Sequence, residues 1–147
     1  MNARKFHRGV LVVLGILLIA SVGILFDGGM ANPARAATAD GEPVDIAGVV
    51  VLRIRAAVDG VEPLEQVSRI YQRWTEALSI EQENISPDLV RIEEVDGEPV
   101  IHIGATPFVR VDAEHARISR TTQAGLAEVW AANLRRAISR YMEIHDL

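Results

Sequence analysis

Residues 9–26, GVLVVLGILLIASVGILF, form an apolar run without a single charged residue. As a helix, about 18 residues span roughly 27 Å, close to the hydrocarbon thickness of a bilayer. The run has no polar face, so it does not suit a helix half exposed to water. Arg4, Lys5 and Arg8 precede it, and no acidic residue does. Basic flanks stay on the cytoplasmic side, so the chain beyond Phe26 is expected to cross the membrane. Gly28, Gly29 and Pro33 then break any helix, and Ala34-Arg35-Ala36 supplies the small residues of a leader cleavage site. Two outcomes fit this pattern. One is a secretory signal cut between Ala36 and Ala37; the other is a retained membrane anchor. The expected plan is a signal or anchor over 1–36, a linker over 37–42 and an extracytoplasmic domain over 43–147.

The chain has 147 residues and a formal net charge of −5. The part after Ala36 is more acidic still, because the leader carries Arg4, Lys5, Arg8 and Arg35 against Asp27 alone. An acidic domain is poorly suited to nucleic acid, and none is expected as a partner. There is no cysteine, hence no disulfide framework and no thiolate metal site. An exported domain of this kind must be held by its core alone, which points to a bacterial cell envelope.

The strongest strand signal is VVVLRIRA at 49–56, where β-branched residues dominate. Strict alternation puts Val50, Leu52, Ile54 and Ala56 on a core face, and Val49, Val51, Arg53 and Arg55 on the other. The short stretch 43–46 reads as an edge strand. Residues 61–82 read as a helix, with Pro63 near its start and an apolar stripe of Leu64, Val67, Ile70, Tyr71, Trp74 and Leu78. Strands over 89–95 and 98–103 flank Asp96-Gly97, a dipeptide suited to the positive φ values of a two-residue hairpin turn. A strand over 108–111 follows. Asp112 can cap a last helix running to about Ile144, interrupted near 119–123, whose stripe includes Val129, Trp130, Leu134 and Tyr141. The expected fold is α+β in the order β-α-β-β-β-α, a mostly antiparallel sheet with two helices on one face.

Chemistry-bearing residues are few. His102 sits mid-strand and is expected to face solvent. Asp112, Glu114 and His115 could be written as metal ligands, but Glu114 points away from the other two on a helix, so capping and solvation are the better account. Glu93, Glu94, Asp96 and Glu98 crowd a hairpin tip, where exposure favours a solvated edge over acid–base work. Ser119 and Ser139 have no adjacent base or nucleophile elbow. Trp74 and Trp130 read as core aromatics. No catalytic, cofactor-binding or metal-binding residue is assigned. The mixed face of Val49, Val51, Arg53 and Arg55 is either a plain solvated face, as an antiparallel sheet allows, or the candidate interaction surface, because apolar and charged groups together often make contacts.

The stretch FVRVDAEHARISRTTQAGLAEVWAANLRRAISRY, with Val111-Asp112-Ala113, Leu126-Ala127, Ala137-Ile138 and Tyr141, resembles the extracytoplasmic N-terminal domain of bacterial, notably cyanobacterial, small-conductance-type mechanosensitive channels. Arg69-Ile70 and Val90-Arg91-Ile92-Glu93 also fit, and the resemblance covers residues 43–141. It implies an envelope location and a sensing or packing module, and brings no catalytic residue. No pore-lining segment follows up to Leu147, so channel activity is not expected. The functional expectation is a non-enzymatic envelope domain that binds an envelope protein or a copy of itself, touching the membrane through its N-terminal segment if uncleaved. The alternative is a small-ligand sensor or a cryptic envelope hydrolase, with a pocket lined by Trp74 or Trp130.

Overall fold

The computed structural model describes residues 40–147. The expected leader, the Ala36 and Ala37 junction and most of the linker lie outside the described residues. No helix among the described residues is long and apolar enough to cross a membrane.

Strands β1 (Glu42–Ile46) and β2 (Val49–Ile54) form an antiparallel hairpin. Its turn, Ala47-Gly48, has φ values of 53° and 80°, the left-handed pair that a two-residue turn needs to match strand twist. Helix α1 (Pro63–Glu81) follows, with Pro63 at its first turn, where a missing N–H leaves nothing unpaired. Strands β3 (Val90–Val95), β4 (Glu98–Ile103) and β5 (Thr106–Arg110) then make an antiparallel meander in that order. Asp96 and Gly97 turn the first hairpin at φ 54° and 81°, as their chemistry predicts. Helices α2 (Ala113–Ile118) and α3 (Gln123–His145) end the chain, with the expected interruption between them. Asp112 caps α2 through a 2.9 Å bond from His115 N, and Thr122 caps α3.

The fold is α+β with antiparallel sheets. The strands form two hydrogen-bonded sheets, β1-β2 and β3-β4-β5, rather than the expected one. Side chains explain why the small sheet recruits no further strand. Tyr71 Oη of α1 accepts from Asp45 N and donates to Asp45 O, both at 3.0 Å, on β1. Just beyond β2, Arg55 N donates to the ring of His115 at 3.1 Å. Polar backbone groups that another strand could have used are already paired.

Each sheet carries one irregularity, and both are built the same way. In β1-β2 the register passes from Val44 opposite Leu52 to Asp45 opposite Val50, so Val51 has no partner across the ladder. In β4-β5 it passes from Ile101 opposite Val109 to His102 opposite Pro107, so Phe108 has none. These are β-bulges, which add a residue and re-aim side chains. Both bulged residues are wholly buried. Both surrender their carbonyls to a helix: Asn133 Nδ2 of α3 donates to Val51 O at 2.9 Å, and Arg73 Nη1 of α1 donates to Phe108 O at 3.2 Å. Two residues along, Arg135 Nη2 donates to Val90 O of β3 at 2.9 Å. Positions i and i+2 point to roughly opposite sides of a helix, so Asn133 and Arg135 reach one sheet each. In the same way Tyr71 and Arg73 tie α1 to β1 and β5. The two long helices therefore fasten the two sheets to a common core of residues such as Ile54, Ile101, Ile103, Leu134 and Ile138.

Replacing Asn133 by Leu keeps the branched outline of the side chain but strands the Val51 carbonyl. Chemical denaturation of Asn133→Leu is expected to show a loss of about 1–3 kcal/mol. An unchanged midpoint would mean that water or another donor already serves that oxygen.

The bulge corrects the strand-face assignment. Val51 is 0% exposed and Val50 is 39% exposed, the reverse of the alternation read from the sequence. Beyond the bulge, Leu52 and Ile54 point inward as expected. Three stripe residues also turn outward: Leu64 and Val129, each 56% exposed, and Tyr71, 38% exposed.

Candidate functional site

Two open grooves mark the described surface. The first, about 350 Å³, lies between α1, the end of β2 and β5. Its floor includes Ile54, Ile70 and Val109, and Arg69, Arg73 and Arg110 stand around it. Arg69 is already paired with Glu65 at 2.6 Å and Arg110 with Glu98 at 3.2 Å. Asp59 and Asp112 also line this groove, so its charge is largely balanced internally.

The second groove, about 390 Å³, lies between β2 and α3. Val51, Arg53 and Arg55, three of the four residues of the expected interaction face, line it. Val51 contributes no exposed side chain, so the apolar surface comes instead from Val50 and Val129, with Trp130 beside them. Val49, the fourth, is half-buried and packs against the core. Ser119, Thr121 and Asn133 add neutral polar groups, and no Asp or Glu is among the described residues that line it. Arg53 and Arg55 are alternate residues after the bulge, so they share a side of the strand. Arg53 Nη1 donates to Gly41 O at 3.4 Å, Arg55 Nε to Asp40 O at 3.3 Å, and Arg55 Nη1 to Ser119 Oγ at 3.2 Å. Every one of these acceptors is uncharged.

Beneath this groove sits the most constrained polar group of the domain. His115 is 1% exposed. Its Nδ1 lies 2.6 Å from Asp112 Oδ2, and its Nε2 accepts from Arg55 N at 3.1 Å. The backbone N–H at Nε2 fixes the neutral tautomer with the proton on Nδ1, donated to Asp112. The ring meets Trp130 edge-on, with centroids 6.0 Å apart. Burial pushes the Asp112 carboxyl upward, but the bonds from the His115 ring and backbone outweigh it and hold the group below its ordinary 3.8. The capping role of Asp112 is as expected from the sequence, whereas His115, expected in solvent, is buried. The one signal for its burial was helical phase, since His115 and Ile118, three residues apart, lie on one face of the helix.

The other sequence candidates separate. Glu114 turns away and pairs with Arg117, as its phase predicts. His102 is less open than expected, with its side chain 14% exposed and Nε2 3.8 Å from Glu93 Oε2. Glu93, Glu94 and Asp96 are exposed at the β3-β4 turn. Trp130 is buried under the second groove, while Trp74 meets Tyr141 edge-on at 5.4 Å. Among the described residues no group of three or more His, Asp or Glu side chains is arranged to hold a metal ion.

Among the described residues the architecture is thus a small two-sheet α+β domain with a groove, lined there by no acid, over a buried histidine–aspartate pair. Residues 43–141 match the family model described as a domain of unknown function, DUF8459, and the chain belongs to that family. No curated protein and no solved structure matches it.

Proposed function

We propose that this chain is a non-enzymatic domain of the cell envelope that works by binding, as an interaction or sensory module. Residues 9–26 export it or hold it on the outer side of the cytoplasmic membrane, as the basic flank Arg4, Lys5 and Arg8 favours. The observation that carries the binding role is the second groove: two arginines without a carboxylate partner among the described residues, set against exposed Val50 and Val129, in an acidic chain. The partner is an envelope protein or a second copy of the chain. The likeness to the extracytoplasmic domain of mechanosensitive channels belongs to this proposal and bears on location only.

Trp130 beside the groove favours a second reading, a small-ligand sensor. Hydrolase chemistry fares worse, because His115 Nε2 is occupied by Arg55 N and cannot serve Ser119 as a base.

Two measurements test this. Intact mass and fractionation in a native-like host are expected to show either a soluble protein beginning at Ala37 or a membrane-bound one retaining residues 1–36; recovery from the cytosol with an intact leader overturns export. In-cell crosslinking is expected to yield a discrete adduct that the Arg53→Glu, Arg55→Glu double variant loses while remaining folded. An adduct unchanged in that variant removes this groove as the contact.

A further inference from the structure

We infer that the groove between β2 and α3 is a binding site for a small amphipathic carboxylate, held by Arg53 and Arg55 with its apolar body against Val50, Val129 and Trp130. This deepens the sensory reading and rests on it.

Charge is the first ground. The chain is acidic, yet among the described residues no acid lines this groove, and there its two guanidinium groups donate only to carbonyls and a hydroxyl. The first groove is the internal contrast. Two of its three arginines are already seated on carboxylates, and two aspartates line it. An arginine bonded to neutral acceptors keeps its full charge and exchanges such a partner for a carboxylate readily, because charge-assisted bonds are about twice as strong. Its planar fork also matches a carboxylate better than a spherical anion.

Apolar surface is the second ground. Val50 and Val129 are 39% and 56% exposed on facing elements, so a hydrocarbon body between them removes apolar area from water on both sides. A bare inorganic anion would leave that wall wet. Size is the third. About 390 Å³ lies at the small end of ligand pockets, which admits a short acyl or aryl acid and excludes a nucleotide-sized solute. The groove is also rigidly framed. Arg55 N is bonded to buried His115, and Asn133 to the bulge carbonyl, so both walls are fixed before a ligand arrives.

A carboxylate with an apolar neighbour occurs as a free acid and as the C-terminal residue of a protein, and the test separates them. The isotopically labelled protein, as exported by its host, is titrated with hexanoate, phenylacetate and the free acid of acetyl-alanyl-leucine. Hexanamide and acetate serve as controls, and amide shifts of Arg53, Arg55 and Val129 and the Trp130 indole signal are followed. Saturable shifts at these positions with the carboxylates, and weaker binding of both controls, are expected. Tighter binding of the small acids identifies a free acid as the source, and tighter binding of the dipeptide acid a chain terminus. Arg55→Gln and Arg53→Gln are each expected to weaken carboxylate binding about tenfold while leaving the melting curve unchanged. Equal binding of hexanamide, no saturable shift with any carboxylate, or no effect of either substitution overturns the assignment. In the unsubstituted protein, no carboxylate binding together with an adduct that the Arg53→Glu, Arg55→Glu variant loses rejects the carboxylate alone; no carboxylate binding and no such adduct reject the groove as a functional site.

Discussion

Val51→Asp is expected to abolish cooperative folding, while Val50→Asp, one residue earlier, leaves the domain folded. Val51 is 0% exposed and packs in the core at the β2 bulge. An aspartate there puts a charge among apolar side chains without a partner, at a cost on the order of several kcal/mol, and also loses the valine packing. Domains of this size have stabilities of roughly 5–15 kcal/mol, so one such substitution consumes most of the margin. Val50 is 39% exposed and borders the open groove, where a carboxylate stays hydrated. Val50→Asp is expected to cost about 1 kcal/mol or less. Circular dichroism with thermal unfolding distinguishes the two at once. A folded Val51→Asp with an unfolded Val50→Asp would place the bulge elsewhere on the strand.

Removing Asp112 comes next in size. Its carboxylate caps α2 through His115 N and accepts the His115 ring proton in a buried setting. Asp112→Ala loses the cap and strands a buried ring N–H, a combined cost of about 2–4 kcal/mol near neutral pH. The pH dependence follows from the direction of the shift. The folded carboxyl titrates below its ordinary 3.8, so its contribution is fully present above that value. It is lost as pH falls through the lower folded value. The stability difference between wild type and Asp112→Ala should therefore shrink on acidification below about 4. Asp112→Asn, which retains one carbonyl oxygen for two donors, is expected to fall between them. A gap that does not narrow in acid would mean that the carboxylate charge is not what holds His115.

Both predictions concern residues whose local signals were legible and whose environment was not. Asp112 reads as a cap because an Asp before a helical stretch can satisfy free N–H groups, whatever lies nearby. That the same carboxylate also holds a buried histidine depends on Arg55 arriving from sixty residues away in sequence. Val51 reads as outward because strands alternate with period two. A single bulge shifts that phase by one, and nothing in VVVLRI marks where the extra residue goes. The groove was half visible for the same reason. Arg53 and Arg55 follow the bulge, where the alternation still holds, whereas Val129 was assigned to the buried stripe of α3 and forms the opposite wall.

The sequence by itself determined what short-range physics governs: the extent of α1 behind Pro63, the Asp96-Gly97 turn, the Asp112 cap and the break before α3. Each depends on backbone preferences and hydrogen bonds within a few residues. The tertiary structure alone decided that the strands divide into two sheets, that Val51 and Phe108 leave their ladders, and that His115 is enclosed. A bulge is stable only when its released carbonyl finds a donor. For Val51 that donor is Asn133, eighty-two residues further along the chain, which no local pattern around Val51 encodes.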